Sequence, residues 1–223
     1  DYRSSRGLGD VYKRQNRSGI RFTNPEFRLL GAVGSSSITL GQSNSSTELS
    51  FGEQYAVFQN NGSVDLFYDG TKRFETTDDG AKITGKLETT YGLELEGFLK
   101  EEVKITAGKL SDNTDINLDD GMVYYFTTQE TTTSTPNVRF SSSSSLNSKM
   151  AIGDTVSVTI ITTAAAAGYS AQLTIDGSAV TENWVGGSAP SGGGSSGVDI
   201  YTYNIIKTAD ATFTVIANLT KTS

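Results

Sequence analysis

The side chains best able to do chemistry in this chain are carboxylates, because it contains no histidine and no cysteine. That excludes Ser-His-Asp catalysis, histidine-ligated zinc, thiolate metal sites and cysteine nucleophiles. Adjacent acids stand at Asp78-Asp79, Glu101-Glu102 and Asp119-Asp120. Cutting a glycosidic bond takes two carboxyl groups roughly 5–10 Å apart that flank the bond. Neighbours on a strand point to opposite faces, so no adjacent pair makes such a site by itself. Gly80 and Gly121 follow two of the pairs, and a turn is the simpler account of both. The chain is therefore read as a non-enzyme that needs no cofactor.

Two further motifs invite ligands. DINLDDG at 115–121 resembles a calcium loop, but the EF-hand pattern needs Gly at its sixth place and Glu at its twelfth. Counted from Asp115, those places hold Asp120 and Phe126. A different calcium site on Asp115, Asn117 and Asp119 stays open beside a simple strand start with Ile116 and Leu118 pointing inward. The stretch GGSAPSGGGSSG at 186–197 lacks the Lys-Ser/Thr ending and the helix of a phosphate loop. It reads as a long flexible loop between strands, of the length that is either functional or merely mobile. Trp184, the single tryptophan, precedes it. Its ring is suited either to packing in a core or chain interface, or to stacking on a sugar. Trp184, Ser188, Ser191, Ser195 and Ser196 are the candidate receptor contacts.

These residues must be carried by β structure. Serine and threonine make up about a quarter of the chain, charged residues 19% and hydrophobic residues 35%. Such a composition favours strands over helices, with a thin core for 223 residues. Net charge is -7, which gives no global attraction to nucleic acid or anionic membranes. No run of 18 apolar residues occurs, so no membrane insertion is expected.

In the front half, Asn61-Gly62, Asp69-Gly70 and Asp79-Gly80 separate strand-like segments at 55–59, 64–68, 72–77 and 81–87. These dipeptides suit the left-handed conformations of hairpin turns. Segments 37–42 and 47–52 alternate in the same way; 97–103 admits a single helical turn, with Gly92, Gly97 and Gly108 interrupting any longer helix. In the back half the segments lengthen, at 122–129, 155–163, 170–176, 198–207 and 211–220. Their period-two alternation predicts antiparallel sheets with one face buried. Ser141 to Ser145 read as a solvated loop.

Two stretches carry resemblances. The opening DYRSSRGLGDVYKRQ resembles a translated sequencing-adapter scar, with GLGDVYKRQ as its hallmark. The alternative for 1–15 is a disordered basic arm bearing Arg3, Arg6, Lys13 and Arg14. The scar reading implies that the natural protein is longer.

The run NNGSVDLFYDGTKRFETTDDGAKITGKL at 60–87 is similar to a segment of tail-fibre proteins of marine tailed phages. Leu66, Tyr68, Lys72, Phe74, Glu75, Gly80, Ile83 and Gly85 stand at matching places. The back half resembles the C-terminal domain of the same fibres, through Trp184, Gly186, Gly187, Pro190, Val198, Asp199, Tyr201, Tyr203, Phe213 and Val215.

The resemblance implies an all-β homotrimer in the tail of a virion. A short-strand fibrous shaft would span 16–112, and an antiparallel β-sandwich or jelly-roll-like head would span 113–223. The head would meet a bacterial surface glycan or outer-membrane protein, and upstream tail-fibre or baseplate components would hold the shaft. The alternatives are a polysaccharide-degrading tailspike and a bacterial adhesin or carbohydrate-binding module.

Overall fold

The computed structural model describes residues 37–43, 51–59 and 61–223. The stretch 1–15 and most of the segment at 47–52 lie outside the described residues. The chain divides into two compact units, with the boundary between Glu94 and Leu95.

The first unit is an antiparallel meander of β1 (Ser37–Ser43), β2 (Phe51–Gln59), β3 (Val64–Tyr68), β4 (Thr71–Thr77) and β5 (Gly80–Ile83). Its β3–β4 hairpin turns on Asp69 and Gly70, with φ of 48° and 66°. Two consecutive left-handed residues are the turn that Asp-Gly favours, because its twist matches that of the strands. Asp78 and Asp79 form the loop of the next hairpin, and Gly80 is already the first residue of β5.

Register sorts this sheet into two faces. Val57, Asp65, Glu75 and Lys82 make one row across β2 to β5. There the Lys72 ammonium lies 2.9 Å from Asp65 and 2.8 Å from Glu75. The Ser63 hydroxyl and Lys72 together hold the Asp65 carboxyl below the ordinary carboxylate range. Ala56, Leu66, Phe74 and Ile83 make the opposite row. Leu66 and Ile83 in that row are 44% and 42% exposed.

The second unit holds two sheets. The larger contains β6 (Val103–Thr106), β8 (Val123–Gln129), β10 (Thr155–Thr163), β13 (Glu182–Trp184), β14 (Val198–Ala209) and β15 (Thr212–Lys221), ordered β13-β15-β14-β10-β8-β6. The smaller contains β7 (Asp115–Asn117), β9 (Asn137–Arg139), β11 (Thr174–Ile175) and β12 (Ser178–Ala179), ordered β12-β11-β9-β7. The only α-helix among the described residues is the single turn α1 (Leu146–Lys149), and no helix there is long and apolar enough to cross a membrane.

Both sheets contribute to one buried cluster. Ile116, Val138 and Ile175 come from the smaller sheet, and Tyr124, Phe126, Val158, Ile160, Tyr201, Tyr203, Ile205 and Val215 from the larger. Several polar side chains that reach this interior are partnered, while the buried Thr162 hydroxyl is left without a hydrogen-bond partner. The Tyr203 hydroxyl donates to Ser170 Oγ at 2.9 Å. Lys207 donates to the carbonyls of Asn147 and Met150 at 2.6 and 2.9 Å, closing the C-terminal end of α1.

Four expectations change. The second unit is mixed, not antiparallel: β6–β8, β8–β10, β7–β9, β9–β11 and β13–β15 run parallel. Period-two alternation reports which face is buried and carries no information on strand direction. The strand expected at 170–176 shrinks to Thr174 and Ile175, because Ser170 is drawn to the hydroxyls of Tyr201 and Tyr203. No helical turn forms at 97–103; Gly97 has a positive φ of 153°, and Val103 opens β6. β6 and the buried Leu110, expected with the shaft, lie in the second unit.

Candidate functional site

Trp184 ends β13, the edge strand of the larger sheet, where it stands in register with Ala217 of β15. Its half-buried ring meets Tyr203 edge-on, with centroids 6.2 Å apart and planes at 72°. That contact belongs to the core margin and is worth about 0.5–1.5 kcal/mol. The Gly187 N–H then donates to the Trp184 carbonyl at 2.9 Å, and Gly186 and Gly187 both have positive φ. These two glycines reverse the chain and bring residues 188–191 over the open end of the sheet. The result is a cleft of about 300 Å³ lined by Trp184, Ser188, Pro190, Ser191, Leu219 and Lys221.

The structure thus gathers three of the five candidate contacts and separates the other two. Ser195 and Ser196 do not line the cleft, although both are exposed. The second half of the glycine-rich loop is anchored, contrary to the flexible loop expected. Gly194 N–H donates to both oxygens of the fully buried Asp199, at 3.0 and 2.9 Å. Gly193 N–H donates to the Ala166 carbonyl at 3.0 Å. Ser196 N–H donates to the Ser223 hydroxyl at 3.1 Å.

Lys221 and Leu219 were missed in the sequence, yet a signal existed. Counting by twos from Val215 puts Ala217, Leu219 and Lys221 on one face of a strand. What the alternation could not supply is that β13 lies beside β15. Glu182 was missed as well. It accepts the Leu173 N–H at 3.2 Å, and burial pushes its carboxyl up to about 7 although that hydrogen bond lowers it.

The carboxylate motifs take structural places. Asp119 and Asp120 sit in a 3-10 turn at Leu118–Asp120. Asp115 and Asn117 face a guanidinium: Arg139 lies 2.9 Å from Asp115 Oδ2 and donates to Asn117 Oδ1 at 2.7 Å. A protein cation therefore already meets two of the three oxygen donors considered for calcium. Ser141 to Ser145 line a separate polar cleft of about 350 Å³ with Arg139 and Asp176. Its acid is committed, because Asp176 accepts the N–H groups of Leu146 and Asn147 at 2.7 and 2.9 Å.

Comparison with known proteins finds no matching family, no matching curated sequence and no matching solved structure.

Proposed function

We propose that the chain is part of a phage tail fibre, a homotrimer whose second unit attaches the virion to a bacterial surface. The observation that carries attachment is the cleft at Trp184, which joins one aromatic ring, two serine hydroxyls and a lysine beside an anchored loop. Sugars are met in this way, with apolar C–H faces on an aromatic ring and hydroxyls on polar side chains.

Two surfaces support the trimer. In the first unit, Leu66 and Ile83 stay exposed on either side of the half-buried Phe74 in one row of the sheet. In the second unit, Ile105, Tyr125, Ile161 and Ile200 stand in register across four strands, on the face opposite the core. Apolar rows of this kind are covered when chains associate, and three weak sites on one trimer gain avidity.

The test is binding of the fluorescently labelled chain to whole bacteria and to their isolated lipopolysaccharide and capsule. Saturable binding that Trp184→Ala weakens at least tenfold is expected. Absence of binding to any surface tested would remove the attachment reading. New reducing ends in the glycan would favour the depolymerase instead. A glycan-binding monomer would favour the carbohydrate-binding module.

A further inference from the structure

We infer that the Trp184 cleft selects a carboxylate-bearing sugar residue, such as a uronic or sialic acid, and that Lys221 is its specificity-determining side chain. This rests on the attachment reading and names the class of glycan that it would take.

The chain carries a net -7, yet no Asp or Glu lines this cleft, and Lys221 is its only charged lining residue. Lys221 is exposed and has no ion-pair or hydrogen-bond partner among the described residues. The acid best placed to neutralise it is Asp199, which stands opposite it in the β14–β15 register. Asp199 is fully buried, and both its oxygens accept from Gly194. Glu182, two residues before Trp184, points to Leu173 instead. The ammonium is thus left for an anion from outside.

Geometry gives the rest. Leu219 and Lys221 follow Ala217 at two-residue steps, so their side chains share the face on which Trp184 adjoins Ala217. The lining is of three kinds: apolar Trp184, Pro190 and Leu219, the hydroxyl-bearing Ser188 and Ser191 of the loop, and the charged Lys221. At about 300 Å³ the space suits one sugar ring and not a long segment of polymer. A ring with C–H groups, hydroxyls and one carboxylate satisfies all three kinds of wall. A lysine pairs with a carboxylate as a point charge, so salt weakens the selectivity.

The experiment reads Trp184 emission, which reports on the cleft alone because the chain has no other tryptophan. The full chain is titrated with sialyllactose against lactose, and with polyuronate oligosaccharides against their carboxyl-reduced forms. The acidic members should bind about tenfold tighter at low salt, and the gap should narrow as salt rises. Lys221→Gln should bring the pair within about twofold, while Lys221→Arg should keep most of the difference. Circular dichroism confirms that the variants are folded.

Equal binding of acidic and neutral members would overturn the inference while leaving glycan attachment standing. So would an unchanged preference in Lys221→Gln, or a polyglutamate peptide that competes as well as the uronates. Whole-cell binding with no Trp184 response to any of these sugars would likewise overturn it and locate attachment elsewhere. A Trp184 response with no binding to bacteria would overturn the attachment reading and retain the cleft.

Discussion

Glu182 is the residue whose surroundings most change its chemistry. Burial raises its carboxyl from 4.5 to about 7, so the folded chain holds this proton more tightly than the unfolded chain does. The stabilisation is full below the unfolded value and is lost as pH rises through about 7. Glu182→Gln keeps a carbonyl oxygen for the Leu173 N–H and abolishes the titration. Thermal melts across pH 4.5 to 7 should show the wild type losing midpoint temperature relative to this variant. Parallel curves would mean that the carboxyl is solvated and titrates alike in the folded and unfolded chains. Asp65 and Glu75 are held low by their partners and act in the opposite direction, which is why the difference between the two proteins is the quantity to read. Nothing in the sequence around Glu182 distinguishes it from the other acids, because its shift depends on being covered.

At the scale of elements, the glycine-rich loop is two structures with different tasks. Its first part, at 186–191, needs the left-handed glycines 186 and 187 to fold back over Leu219 and Lys221. Its second part needs glycine for closeness. A Cβ on Gly193 would lie 2.7 Å from Asp199 Oδ2 and 2.8 Å from the Gly168 carbonyl, and would also strike the Ala165 carbonyl. Two of those three neighbours are backbone and cannot move cheaply. Gly193→Ala should therefore cost about 1–3 kcal/mol in chemical denaturation, as overpacking does. Ser195→Ala, at an exposed position, should change stability by less than about 0.5 kcal/mol. Equal effects would show that the second half is not anchored. The same contrast explains what was legible. The long strands β10, β14 and β15 were readable to within two residues at each end from alternation alone. The short β9 and β13 were not, because three residues carry too little period to register, whereas β7 was read only as one alternative at 115.

For the whole molecule, the two units differ in how they bury their apolar side chains. The second has an interior of its own, closed by Tyr201 and Tyr203, which are at most 1% exposed. Among the described residues the first forms one sheet, on which Leu66 and Ile83 stay exposed. Association of chains would cover its open row and the row Ile105–Tyr125–Ile161–Ile200 as well. Ile161→Asp combined with Ile200→Lys alters only the face turned from the core. Light scattering coupled to size exclusion should then give a trimer for the wild type and a smaller species for the variant, with the circular dichroism of the second unit kept. A wild-type monomer would sink the fibre architecture.

The sequence by itself determined the all-β class, the Asp69-Gly70 turn, the inward faces of the long strands and the exclusion of histidine and cysteine chemistry. Each of these follows from residue type, local backbone preference or a two-residue period. Only the tertiary structure decided the parallel pairings, the Arg139 contact with Asp115 and Asn117, the split of the glycine loop and the meeting of Trp184 with Lys221. Those depend on which strands lie side by side, and residues 37 positions apart carry no local mark of their neighbourhood.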